Sequence, residues 1–245
     1  MRKLFLDVGG HNGETLDVAL NPKYGFHEIH SFEPSYYLFS ILRKFRDKRL
    51  FVHDFGLGAK SETRELYGAG TVGGSIYSKK NFADKNLLKC VEVVKLVNAS
   101  TWVLNNTTPD DLIFLKLNCE GAEADILDEL IRTNTILRIS SVYVDFDVRK
   151  IPGEEYRQEL LETRMCALNI DFTTPEKLGT KGNQAVEIWL QDKLPEVKIN
   201  YFQTQYFKYK LYLPTYFILK FFIIKFFPEK FVSIIVKRFG RFTRN

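Results

Sequence analysis

Near its amino end the chain reads Asp7-Val8-Gly9-Gly10-His11-Asn12-Gly13-Glu14-Thr15. Glycines at this spacing let a backbone turn tightly and approach a ligand closely, and the segment that follows, 14–20, is helix-permissive, so a helix amino end points at the same place. A dinucleotide-binding turn needs Gly-x-Gly-x-x-Gly to hold a pyrophosphate. Here the spacing is Gly-Gly-x-x-Gly. One glycine is missing, and a carboxylate at Asp7 suits a cationic ligand better than phosphates. S-adenosylmethionine carries an ammonium and a sulfonium, which makes Asp7, Gly9, Gly10, Asn12 and Gly13 candidate residues for holding it. A glycine-rich turn without a ligand is the plain alternative.

Further polar residues follow apolar runs. Glu33 lies 26 residues beyond Asp7, a separation that fits one βαβ unit, and a carboxylate there can accept from both hydroxyls of a ribose. That feature alone suits NAD as well as S-adenosylmethionine. Asp54 and Phe55, just before Gly56, are placed to bracket an adenine, with the ring on its face; a solvated strand end is the alternative for Asp54. Asn118 and Asp145 end two later runs. The four histidines show no metal-ligand spacing and read as structural, so no metal is expected.

Elements must bring these residues together. Apolar runs alternate with helix-like segments, which argues for βαβ units in a parallel sheet with helices on both faces. Residues 4–8, 27–33, 50–56, 111–118 and 141–147 read as strands, with 111–118 central; 63–67 and 91–97 are further strand-like runs. Helical spacing appears over 35–45, 101–104, 122–130 and 154–168. Residues 68–75 form a glycine-rich loop able to cover a site, with Ser75 either in that cover or in a plain turn. Residues 184–190 read as the last strand, hairpin-paired with 170–173.

Together Asp7-Val-Gly-Gly-x-Asn-Gly, Ser31-Phe-Glu33-Pro34, Gly56-Leu-Gly, Gly74-Ser75 and Phe114-Leu-Lys116-Leu-Asn118-Cys-Glu120-Gly121-Ala-Glu123 resemble the FkbM-type methyltransferase family over roughly residues 4–190. The resemblance implies a Rossmann-like class I methyltransferase fold. Its sheet would have seven strands, mostly parallel with the last antiparallel, and S-adenosylmethionine would lie over the first two. It further implies methylation of hydroxyl oxygens on glycans, glycolipids or related small molecules. One position departs from the family, which usually has Asp where this chain has Asn118. An amide still hydrogen-bonds but is no base and a poor metal ligand. Methyl transfer to oxygen depends mostly on holding the nucleophile in line, helped by a base. Glu120, Asp145 and Asp147 are the candidate bases, and Lys116 is their electrostatic partner. Helix capping is the alternative for Glu120 and Glu123, and a strand-edge role for Lys116.

The net charge of +5 comes from the carboxyl end, where residues 201–245 hold nine Lys/Arg against one acid and 15 Phe/Tyr. The other 200 residues carry 26 basic and 29 acidic side chains, so the body gives no sign of nucleic-acid binding. Residues 1–195 read as the cofactor-binding domain and 196–245 as a basic, aromatic tail. Lys220, Lys225 and Pro228 interrupt any membrane span, while 229–241 place charges on one side and apolar residues on the other. Such a segment fits peripheral contact with anionic lipid, against packing on the body. Three cysteines without a close pair and no secretory signal point to a reducing, cytoplasmic setting. Two other functions stay open: a membrane-surface binding protein that retains the fold without catalysis, encouraged by Asn118, and an NAD-dependent oxidoreductase, disfavoured by the missing glycine.

Overall fold

The computed structural model describes residues 1–194. The apolar run at the start is β1 (Lys3–Val8), which leads through α1 (Glu14–Ala19) to β2 (Glu28–Phe32) and through α2 (Tyr36–Leu42) to β3 (Leu50–His53). The chain then leaves for a second sheet, β4 (Gly56–Gly58), β5 (Glu62–Tyr67) and β6 (Val91–Asn98), before α3 (Ala99–Asn106) returns it to β7 (Leu112–Leu117). Asn98 caps α3 by accepting from the Thr101 amide, a contact worth about 1 kcal/mol. Then come α4 (Ala122–Arg132), β8 (Ser141–Val144), α5 (Arg157–Ala167), β9 (Phe172–Thr173), α6 (Pro175–Leu178) and α7 (Gly182–Lys193).

The main sheet has six strands in the order β3-β2-β1-β7-β8-β9, and every neighbouring pair is parallel. Its central strands are buried on both faces, which is why they read as unbroken apolar runs. Leu6 and Val8 of β1, Leu115 and Leu117 of β7, and Val142 and Val144 of β8 point one way, into a core shared with Ile126 and Leu127 of α4 and Leu161 of α5. Alternate residues point the other way. There Phe5, Phe114 and Tyr143 surround Trp189 of α7, whose indole donates to the Ser141 hydroxyl at 2.9 Å.

The expected seventh, antiparallel strand is absent among the described residues. Residues 184–190 lie within α7, and β9 pairs in parallel with β8 instead of forming a hairpin with them. Ala185, Val186, Trp189 and Leu190 are the buried positions. That is a helical spacing, which alternation cannot produce. The run expected to end at Gly56 is also split: β3 stops at His53, and Gly56 begins the other sheet. Among the described residues no helix is long and apolar enough to cross a membrane. The amphipathic reading of 229–241 falls outside the described residues.

Candidate active site

β1, β2 and β7 end on one edge, and the strand order reverses between β1 and β7: the chain runs outward to β3 on one side, then to β9 on the other. Open α/β sheets bind ligands at such a point. A cavity of about 390 Å³ lies there, within the range of small-molecule sites.

Beneath it, sheet register builds a polar row. Ser31, Asp7 and Lys116 are neighbours across β2, β1 and β7, so their side chains share one face. The Asp7 carboxylate is fully buried, accepts from the Ser31 hydroxyl at 3.0 Å and meets the Lys116 ammonium at 2.9 Å. Lys116 also donates to the Gly9 carbonyl at 2.7 Å. The charge of Asp7 is therefore answered from within the protein, under the turn. Gly9 adopts φ +81°, and a Cβ there would sit 1.9 Å from the Asn118 carbonyl oxygen. A side chain on Gly10 would meet the Ser31 hydroxyl, and one on Gly13 the Phe45 ring. The room these glycines leave is filled by the protein itself.

Glu33 follows β2, is 6 % exposed, and lines the cavity. One carboxylate oxygen accepts from the His11 amide at 2.9 Å and the other from the Ser35 amide at 3.0 Å. Each oxygen keeps a lone pair for a ligand. Burial pushes its carboxyl up to about 6. Across the cavity stand Asn118, whose side-chain amide has no hydrogen-bond partner among the described residues, and Glu120. Glu120 is a non-glycine residue at φ +59° and is ion-paired with Lys80. Burial, then the neighbouring Asp147, raises the Glu120 carboxyl. Asp147 is held low against its own burial by hydrogen bonds to Glu120 and Lys150.

The cavity wall thus brings together Gly9, Glu33, Gly56, Lys116, Asn118 and Glu120 of the residues singled out in the sequence. It does not include Asp7, Gly10, Asn12, Gly13, Asp54, Phe55 or Asp145. Asn12 and Asp54 are exposed, and Phe55 packs against the core. Asp145 faces Arg149 at 3.6 Å. Beyond Leu57 of Gly56-Leu-Gly, the motifs did not point to the apolar wall of Leu38, Leu66 and Leu96, nor to Asn183 at the start of α7. Leucines carry no chemical signature that separates a cavity wall from a core. The loop 70–74 does border the cavity.

The sequence model of the methyltransferase FkbM domain matches residues 7–167. The chain belongs to the FkbM methyltransferase family. Among solved structures, a methyltransferase FkbM from Methylobacillus flagellatus KT is similar at 17 % identity, with a TM-score of 0.39 over 69 % of this chain and 37 % of that one. The chain thus matches well under half the length of that relative. No curated protein matches it. In this FkbM family member the charged side chains on the cavity wall are Glu14, Glu33, Lys116 and Glu120, with the His11 imidazole beside them. The Lys116 ammonium is spent on Asp7 and Gly9, and His11 is paired with Glu14. Glu120 is in turn ion-paired with Lys80, which leaves Glu33, beside the leucines, as the wall carboxylate without an ion-pair partner among the described residues.

Proposed function

We propose that the cavity binds S-adenosylmethionine and that the chain is an O-methyltransferase acting on a hydroxyl of a glycan, glycolipid or related small molecule. The observation that carries the reading is Glu33, a buried carboxylate fixed by two backbone amides with a lone pair left on each oxygen. Asn118 supplies an unpartnered amide opposite, and Leu38, Leu57 and Leu96 supply an apolar wall. These residues fit a ribose, an adenine and a cationic methionine end. When bound, the cofactor supplies an electrophilic methyl group.

The chain's own residues position and deprotonate. Glu33 orients the ribose, and the leucines exclude water. Glu120, next to Asp147, has a carboxyl raised by burial. Its carboxylate is therefore a stronger base than an exposed one and is placed to take the proton of an acceptor hydroxyl. The hydroxyl class of the acceptor rests on the family resemblance.

Calorimetric titration with S-adenosylhomocysteine and NAD separates the ligand classes: heat is expected with the first and none with the second, and the reverse outcome refutes the proposal. Labelled methyl transfer to extracts of sugars and lipids then tests for catalysis. A second reading, binding without transfer, is favoured by the amide at Asn118 and by the placement of Asp145 off the cavity wall; it predicts cofactor heat and no label in any fraction. Residues 201–245 are proposed to contact anionic membrane peripherally. Equal flotation with anionic liposomes of chains with and without them counts against that role.

A further inference from the structure

Lys80 has no part in the steps above, yet its surroundings tie it to the same cavity. It follows the glycine loop 68–74, and only 6 % of the residue is exposed. Its ammonium donates to the Gly73 carbonyl at 2.9 Å and to the Glu120 carboxylate, with the Phe82 ring 5.5 Å away. Burying an ammonium is costly unless an anion and further acceptors meet it, and here both do. The same loop reaches the same glutamate a second time, where the Ser75 hydroxyl donates to the Glu120 carbonyl at 2.7 Å. Glu120 itself is held in the left-handed region, which an L-residue adopts only where its surroundings impose it. Lys80 on the carboxylate, Ser75 on the main-chain carbonyl and a strained backbone therefore converge on one residue of the cavity wall.

We propose that Lys80 is a positioning residue of this site: its ammonium aims the Glu120 carboxylate at the cavity and, through the Gly73 carbonyl, holds the glycine loop as the cavity's wall. The choice of ligand for its test rests on the S-adenosylmethionine reading; the tie between Lys80 and Glu120 does not. A staple that only supports folding would lower stability without linking loop, glutamate and ligand.

The test uses the full chain and an amine-acetylating reagent, with exposed Lys79 as the internal standard. In the wild-type protein Lys80 should label roughly ten times more slowly than Lys79, as expected for a buried, paired ammonium. Glu120→Gln should remove most of that protection. An unchanged Lys80 rate in Glu120→Gln overturns the proposal, with or without any ligand. Bound S-adenosylhomocysteine should slow Lys80 labelling further. Lys80→Met should weaken its binding by about tenfold, a loss of about 1.4 kcal/mol, with Lys80→Arg restoring it to within about twofold. A ligand that binds without slowing Lys80, or an arginine variant as weak as the methionine one, refutes the positioning role. If the wild-type chain does not bind S-adenosylhomocysteine, the proposed function fails, and the Glu120→Gln comparison still decides for or against the tie.

Discussion

At Glu33 two backbone amides and a buried carboxylate meet at the end of β2. Glu33→Gln removes the charge whose burial raises the carboxyl from 4.5 to about 6, a relief of about 2 kcal/mol at neutral pH. A glutamine has one acceptor oxygen for two amide donors, and one buried N–H left unpaired costs about 1–3 kcal/mol. The two effects nearly cancel, so unfolding in urea should shift by no more than about 1 kcal/mol, while affinity for S-adenosylhomocysteine falls about tenfold to a hundredfold through loss of charged hydrogen bonds. A large loss of stability with unchanged affinity would make Glu33 a structural residue. Glu33, Asn118 and Glu120 were legible in the sequence because acids and amides after apolar runs carry a chemical signal. The burial of Asp7 was not. Its pairing with Lys116 depends on the register of β1 against β7, which are more than 100 residues apart in the chain. Asp54 failed to reach the wall for a similar reason: the chain changes sheets at Gly56.

Among the elements, α7 separates the two periodicities most sharply. The run Gln184-Ala185-Val186-Glu187-Ile188-Trp189-Leu190 is short and mostly apolar, and such runs do not distinguish strand from helix by composition. The structure buries Val186 and Trp189 together and leaves Ile188 38 % exposed. Trp189→Ala should cost about 3–5 kcal/mol, as large aromatic truncations in a core do. Ile188→Ala should cost less than about 1 kcal/mol. Equal losses measured by chemical denaturation would restore the strand. The strands β1, β2, β7 and β8 were legible because burial on both faces leaves them almost continuously apolar. The runs 63–67 and 91–97 were legible too and are β5 and β6, but their pairing into a second sheet was not, since it spans a loop of more than 20 residues.

Over the whole molecule, buried carboxyls and desolvated histidines pull the response to pH in opposite directions. Folded Glu33 and Glu123 keep their protons up to about pH 6 and about pH 7, because burial disfavours the anions, whereas an ordinary glutamate releases its proton near 4.5. Folding therefore takes up protons between these values, and that stability is present below about pH 4.5 and lost as pH rises through 6 and 7. Asp47 acts in the opposite sense. Hydrogen bonds from Arg49 hold it to about 2, below its ordinary 3.8, so its contribution disappears as pH falls through that window. Half-buried His53, held down to about 4 by desolvation, gains stability as pH rises toward its ordinary 6.5 and offsets the loss from the glutamates, so the melting temperature should be highest across about pH 5 to 6.5 and lower by pH 8; calorimetry showing a maximum at pH 8 would contradict this. The parallel, helix-covered plan could be read from the alternation of runs, whereas the number of strands turned on the single ambiguous segment 184–190. One junction has a wider consequence. Gly58 and Asn98 are register partners, and Asn98 also binds the Ala59 carbonyl and the Ser61 hydroxyl. The excursion between them, residues 59–97, leaves and rejoins the body at one place, and its Leu66, Ile76, Val94 and Leu96 form a small cluster with Ala122 of α4. A change in that excursion therefore recuts one wall of the cavity and reaches both wall carboxylates, Glu33 through Glu92, which accepts from the neighbouring Ser35, and Glu120 through Lys80 and Ser75, while the registers of the main sheet stand apart from it.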